Sequence, residues 1–283
     1  MYPRPIPPAA AARRTIYVSL VALVLVLWLL PLVAVMLTSI RSFEEVMAGQ
    51  YWNWPKKFSL IENYTAVFQQ TAMFRFFLNS LIITLPSVAG VLVLATLNGF
   101  VLSRYHFKGA TLLFAIFVGG NFLPAQIMMI PVRDLMVKLG LYDTFYALIL
   151  FHIAFQTGFA TLFMRNFISA LPDELFQAAR SEGASPAQTL WHVVVPLLRP
   201  ALAALAILTF TFVWNDYFWA IVLTQSDAVK PVTAGLNNLR GEYVSAWNLV
   251  AAATIIAALP PVTMFLLMQR HFIAGLTIGA VKG

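Results

Sequence analysis

The sequence predicts an all-α polytopic membrane protein with six transmembrane helices and both termini on the cytoplasmic side. Three observations lead there. The 283 residues are 60% hydrophobic and only 10% charged, whereas a water-soluble domain carries roughly 25% charged residues. Mean hydropathy is +0.81. The chain lacks the polar side chains to cover a water-facing surface, so lipid is the solvent for much of it. Finally, six apolar stretches are long enough, at about 20 residues, to cross hydrocarbon as helices. They lie at about 16–38, 76–103, 110–131, 142–164, 200–223 and 247–269.

Taken in order, residues 1–15 form a cytoplasmic tail whose PRPIPPAAAA run reads as flexible. The first span follows Arg13 and Arg14. Its apolar run is too long for a signal peptide and no small-residue cleavage site follows, so it reads as an uncleaved span. Trp52 and Trp54 fall in the first outer segment, where tryptophan favours the membrane interface. Asn63-Tyr64-Thr65 matches a glycosylation sequon, to which no weight is given. The short loop SRYHFKG between spans two and three carries no acid. It sets the orientation more firmly than the slight overall excess of Lys and Arg on the inner side. Prolines 31, 86, 124, 131, 260 and 261 lie in or near spans, where neighbouring helices can satisfy the freed carbonyls. Residues 16–269 form one permeating domain, with a cytoplasmic loop at 165–199 and a cytoplasmic tail at 270–283. No internal repeat is visible.

Composition excludes several functions. Net charge is +7 and pI about 9.8, but Lys and Arg gather in cytoplasmic loops of any membrane protein. No basic run interleaved with aromatics appears, so nucleic acid is not an expected partner. There is no cysteine, hence no disulfide, no thiolate nucleophile and no zinc–thiolate site. Histidines 106, 152, 192 and 271 lack metal-ligand spacing, and His152 reads as a packing residue. A membrane enzyme would need converging acids and bases, which the sequence does not assemble. A stand-alone secondary transporter would need intramembrane charge and inverted repeats. Apart from Asp143 at the very edge of the fourth stretch, Asp216 is the sole acid inside a predicted span. It either lines a translocation path with Asn121, Trp214, Asn215 and Tyr217 or is satisfied structurally by neighbouring helices.

The wet stretch from Gln177 to Pro200 interrupts this pattern. Just upstream, Pro172 suits the first turn of a helix, and Asp173 and Glu174 suit its dipole. Gly183 is a natural stop. Ser185, Pro186 and Gln188 then spell a capping box with proline in the first turn. The second helix runs through Trp191 toward span five, bent by Pro196 and Pro200. Leu175, Ala178, Ala179 and Glu182 fall on one side of the first helix, where alanines permit close approach. This pattern alone fits an interfacial loop lying on its own protein or a docking knob for a cytoplasmic partner.

Gln177-Ala178-Ala179, then Gly183, then Val193-Val194-Val195-Pro196 resembles the cytoplasmic loop of ABC-importer permeases. That loop reads E-A-A, three residues, G, nine residues, I-x-L-P. FSLIENYTAVF, FFLNSLIIT, WNDYFWAIVLT and the ending QRHFIAGLTIGAVKG resemble the maltose-type sugar permeases, specifically the second, shorter permease of each pair. The resemblance implies a type I ABC importer permease fold in a bacterial cytoplasmic (inner) membrane. It implies a non-catalytic subunit of an ATP-driven importer of a sugar or sugar-like solute. A non-sugar cargo is the alternative. The partners implied are a second permease, an ABC ATPase dimer holding ATP and Mg, and an extracytoplasmic solute-binding protein. This chain itself holds no cofactor and contains no G-x-x-x-x-G-K-[ST] pattern.

By the same resemblance, the ATPase docks on Leu175, Gln177, Ala178, Ala179, Glu182, Gly183, Ala184, Ser185 and Pro196. The tail Gly279, Ala280, Val281, Lys282 and Gly283 reaches toward it. Gln177 departs from the family's usual glutamate. It keeps the hydrogen-bonding reach but loses the charge, so a salt bridge made there is expected to be absent.

Overall fold

A computed structural model describes residues 11–239 and 246–280, with side chains over 13–239 and 246–269. Regular structure among the described residues is helical, apart from an isolated bridge between Arg41 and Phe58. The helices are α1 (Ala11–Ser39), α2 (Phe43–Met47), α3 (Leu60–Gln69), α4 (Met73–Arg104), α5 (Ala110–Gly120), α6 (Ala125–Lys138) and α7 (Phe145–Ser169). Then come α8 (Asp173–Ser181), α9 (Pro186–Gln188), a π-helical stretch (Thr189–Val194), α10 (Val195–Leu197), α11 (Arg199–Trp214), α12 (Phe218–Leu223), α13 (Val232–Gly235), a 3₁₀ turn (Leu236–Leu239) and α14 (Trp247–Ala280).

Among the described residues, four helices are long and apolar enough to cross a membrane unaided: α1, α4, α7 and α14. Two bent pairs bring the count to six if each pair is one crossing. The stretch 110–131, expected as one straight span, is instead α5 and α6 meeting at 103°. The reason is local. Gly119 and Gly120 weaken the end of α5, and Pro124 pushes Leu123 out of helical geometry. At about 1.5 Å per residue, α5 alone covers about half of the hydrocarbon thickness. The stretch 200–223 is also not continuous, because α11 ends at Trp214 and α12 begins only at Phe218. The segment Pro186–Leu197 meets α11 at 79°. Pro196 and Pro200 cannot donate to the carbonyls four residues back, and the helix bends between them.

The chain divides into two compact units. The first comprises Met1–Thr71 and Leu239–Ile256. Within it, α1 leaves its most apolar window unburied. The segment after α1 is held by a buried Arg41, whose Nη2 donates to the carbonyls of Tyr51 and Asn53. Asn63 is buried too. Its Nδ2 donates to the carbonyls of Ser39 and Arg41, at 2.9 and 2.8 Å, and its Oδ1 accepts from Asn248. The sequon asparagine is thus a structural tie.

The second unit comprises Ala72–Asn238 and Ala257–Gly283. Its spine is the pair α4 and α7, the most extensively packed helices among the described residues. They approach closely because Gly99 has no side chain. A Cβ there would stand 2.9 Å from the Arg165 backbone nitrogen and 3.0 Å from the Met164 Cβ. Small residues permit this approach in lipid, where packing replaces the hydrophobic drive. One core lies along this pair and the loop after α7, joining Val91, Ala95, Met164 and Ile168 to Phe176, Leu190, Val194 and Leu198. Another joins Ile83, Leu148 and Phe151 to Val213, Trp219 and Leu223.

Candidate functional site

The loop between α7 and α11 is a folded object. Asp173 and Glu174 occupy the first turn of α8, where the helix dipole favours them. Pro172 sits just before that turn, as the N-cap residue. Gly183 has φ +77°, a left-handed conformation that glycine adopts at no steric cost. Its N–H donates to the Arg180 carbonyl, and Ala184 N–H donates to Ala179, which closes α8. The next helix starts with a complete capping box. Gln188 N–H donates to Ser185 Oγ at 3.2 Å, and Ser185 N–H donates to Gln188 Oε1 at 2.8 Å. Replacing Ser185 with Ala is expected to cost about 1 kcal/mol of local stability, the usual loss for such a cap. Faster amide exchange confined to residues 186–190 would show it.

One face of this knob is anchored. Phe176, Leu190, Val194 and Leu198 are buried in the core that α4 and α7 share. The opposite face is open. Leu175, Ala178, Ala179, Glu182, Gly183 and Ala184 line a hollow of about 560 Å³ together with Gln188, His192 and Val193. Six of the sequence-predicted docking positions thus share one concavity. Gln177 does not join them. It lines a second hollow, of about 700 Å³, with Arg104, His106 and Arg180. Ser185 and Pro196 are exposed on the knob. Of the tail residues, Gly279 and Ala280 end α14 without described side chains, and Val281, Lys282 and Gly283 lie outside the described residues.

The other candidate positions surround the break between α11 and α12. Trp214 is buried. Its Nε1 donates to the Ala257 carbonyl at 2.9 Å, and its ring stacks on Phe210 and meets Phe77 edge-on. Asp216 is half-buried and caps α12, accepting from Trp219 N–H at 3.3 Å and Ala220 N–H at 3.1 Å. Its own carbonyl accepts from Thr233 Oγ1 at 2.6 Å. His152 Nε2 lies 3.7 Å from Asp216 Oδ2, with its ring edge-on to Phe151. Asn215 and Tyr217 flank this cap and are exposed, and the Tyr217 hydroxyl accepts from Asn237 Nδ2. Asn121 is placed elsewhere, at the end of α5. Its Nδ2 donates to the Phe117 carbonyl, and it packs where a side chain on Gly158 would be.

Two features were not legible in sequence. The approach of His152 to Asp216 joins a residue of α7 to one in the break between α11 and α12. Arg104 showed only as a basic residue of an inner loop, yet it bridges several helix ends.

Helices long and apolar enough to cross a membrane, two bent helix pairs and a folded knob between α7 and α11 are features of an integral-membrane protein. Residues 92–278 match the family described as binding-protein-dependent transport system inner membrane component, and the chain belongs to it.

Its relatives match along most of their length. A probable ABC transporter permease of Pyrococcus horikoshii is 34% identical over 88% of this chain and 91% of its own. The melibiose/raffinose/stachyose import permease protein MelC of Bacillus subtilis is 31% identical, covering 93% and 95%. A chain from the crystal structure of a bacterial ABC transporter that imports the polysaccharide alginate superposes with TM-score 0.84. It is 23% identical and covers 95% of this chain and 100% of that one, which supports the fold.

Proposed function

We propose that this permease imports a sugar or sugar-like solute through a bacterial inner membrane, powered by ATP hydrolysed on a partner ATPase dimer. The observation that carries the coupling half of this reading is the knob at 172–196, buried on one face and hollow on the other. A cytoplasmic ATPase enters that hollow. The alanines of α8 let its surface approach closely, and the core contact carries its movement into α4 and α7. ATP binding supplies the differential free energy that shifts the spans between inward- and outward-facing states.

The chain makes six crossings on this reading, counting each bent pair as one, with both termini cytoplasmic. A second permease completes the path, and α1, unburied in this chain, faces lipid or that partner. An external binding protein delivers the solute. At the break in span five, Trp214 and Asp216 hold the backbone, and the exposed Asn215 and Tyr217 meet the solute. The sugar assignment rests on the named cargo of relatives such as MelC.

Mild-detergent purification of the tagged chain, expressed with its neighbouring genes, tests the assembly. An ATPase and a second permease are expected to copurify, and the companion binding protein is then screened against oligosaccharides and osmolytes. Recovery of the folded chain alone, with uptake that follows an ion gradient instead of ATP, would overturn the reading.

A further inference from the structure

We propose that Arg104 is a positioning residue that latches the docking knob to the transmembrane spine, so that displacement of α8 is carried into α4 and α7. The proposal rests on the docking reading above and adds the part that transmits the motion.

Arg104 is the last residue of α4, yet its guanidinium serves two other helices. Nη2 donates to the carbonyls of Ile168 at 2.6 Å and Leu171 at 2.9 Å, at and just beyond the end of α7. The Ile168 carbonyl lies in the last turn of α7, at its negative pole, where it also accepts from Leu171 N–H at 3.2 Å. Nη1 donates to Asp173 Oδ1, in the first turn of α8. The plane also covers the Phe176 ring, with Cζ 3.7 Å from its centroid. Phe176 is itself buried in the shared core. One side chain, 15% exposed, therefore fixes the corner between α7 and α8 to the end of α4.

The contacts differ in weight. Asp173 is 76% exposed, and ion pairs facing water contribute little. The two carbonyl bonds and the ring contact are shielded and directional. Nη2 makes both carbonyl bonds while the guanidinium plane lies over Phe176, a combination that a lysine ammonium, with no plane, does not reproduce. The expected order of damage is therefore Arg104→Met, then Arg104→Lys, with Asp173→Asn nearly silent. A residue that merely filled space would tolerate methionine, which matches much of the arginine stem.

The experiment uses the whole complex in proteoliposomes, with partner permease, ATPase and binding protein, and reads ATP hydrolysed per solute imported. Arg104→Met is expected to retain its ATPase while uptake falls about tenfold and the ratio rises accordingly, a loss typical of broken coupling between sites. Arg104→Lys is expected to show a smaller rise, and Asp173→Asn to stay within about twofold of the parent. Arg104→Met with the parent's ratio overturns the latch.

If that variant fails to assemble, Arg104→Lys decides, and an unchanged ratio there overturns the proposal equally. An independent readout uses the absence of native cysteine. Spin labels at cysteines replacing His106 and Arg180, both exposed, report the distance between the α4 end and α8. Broadening in the Arg104 variants supports the latch, and an unchanged distribution overturns it. If the partner ATPase does not stay bound to the unmodified chain at all, the docking reading itself fails, an outcome distinct from any of these.

Discussion

Gly183→Pro is expected to leave the chain in the membrane and stop solute uptake. The turn between α8 and α9 needs φ +77° at this position, and the proline ring holds φ near −65°. An ordinary L-residue in the left-handed region already costs roughly 1–2 kcal/mol. Proline cannot reach it, and it also removes the N–H that Gly183 donates to Arg180. The damage is confined to the turn, because no side chain stands within 4 Å of where a Cβ would lie. The spans still insert, but α8 and the capped helix lose their mutual angle, and the hollow they share loses its shape. Uptake should fall by more than about tenfold, the change that a loss of about 1.4 kcal/mol brings. ATP hydrolysis should cease to respond to the solute-loaded binding protein. Gly183→Ala, with strain but no ring, should lie between the two. Uptake by Gly183→Pro at the parental rate would reject docking through this knob.

Asp216 yields the second large effect, and two substitutions separate its roles. Asp216→Ala removes the acceptors of Trp219 N–H and Ala220 N–H. Leaving buried donors unpaired costs about 1–3 kcal/mol, and His152 loses the carboxylate 3.7 Å away. Less folded protein should be extracted, with a lower thermal midpoint in detergent. Asp216→Asn keeps one oxygen to accept from the cap, since asparagine is as good an N-cap as aspartate; it loses the charge and one of the two carboxylate acceptors. It should assemble normally and import more slowly, because a neutral amide faces His152 and the break. Initial-rate uptake checks this. Kinetics unchanged in the Asn variant, alongside an unstable Ala variant, would reduce Asp216 to the cap alone.

Much of the knob was legible in order along the chain. Proline and acids before a helix, a glycine after it, and Ser-Pro-x-Gln at the next start each act within a few residues. Those local rules survive any tertiary context, and the structure shows them at Gly183 and at the Ser185 cap. The side of α8 facing the hollow followed from helical periodicity alone. The breaks at 121–124 and 215–217 were harder. Apolar composition continues across both, so the stretches 110–131 and 200–223 read as uninterrupted spans. Glycines and Pro124 marked the first break. The second carries no proline. It needs a carboxylate to restart α12, and the capping signal of Asp216, which accepts from Trp219 and Ala220 N–H three and four residues on, is masked by the apolar run on either side.

What the amino-acid order determined by itself was the solvent, the helical class, the capped knob and the family pattern it carries. Each follows from composition or from contacts between residues near in sequence. What only the tertiary structure decided was which residues meet across helices. Arg104 against the α7 end and Phe176, His152 against Asp216, and the Trp214 indole against the Ala257 carbonyl are all such meetings. They depend on how far helices tilt and approach, which close contacts such as Gly99 against Met164 set. In lipid there is little hydrophobic drive between helices to reveal such pairings as a pattern in the sequence.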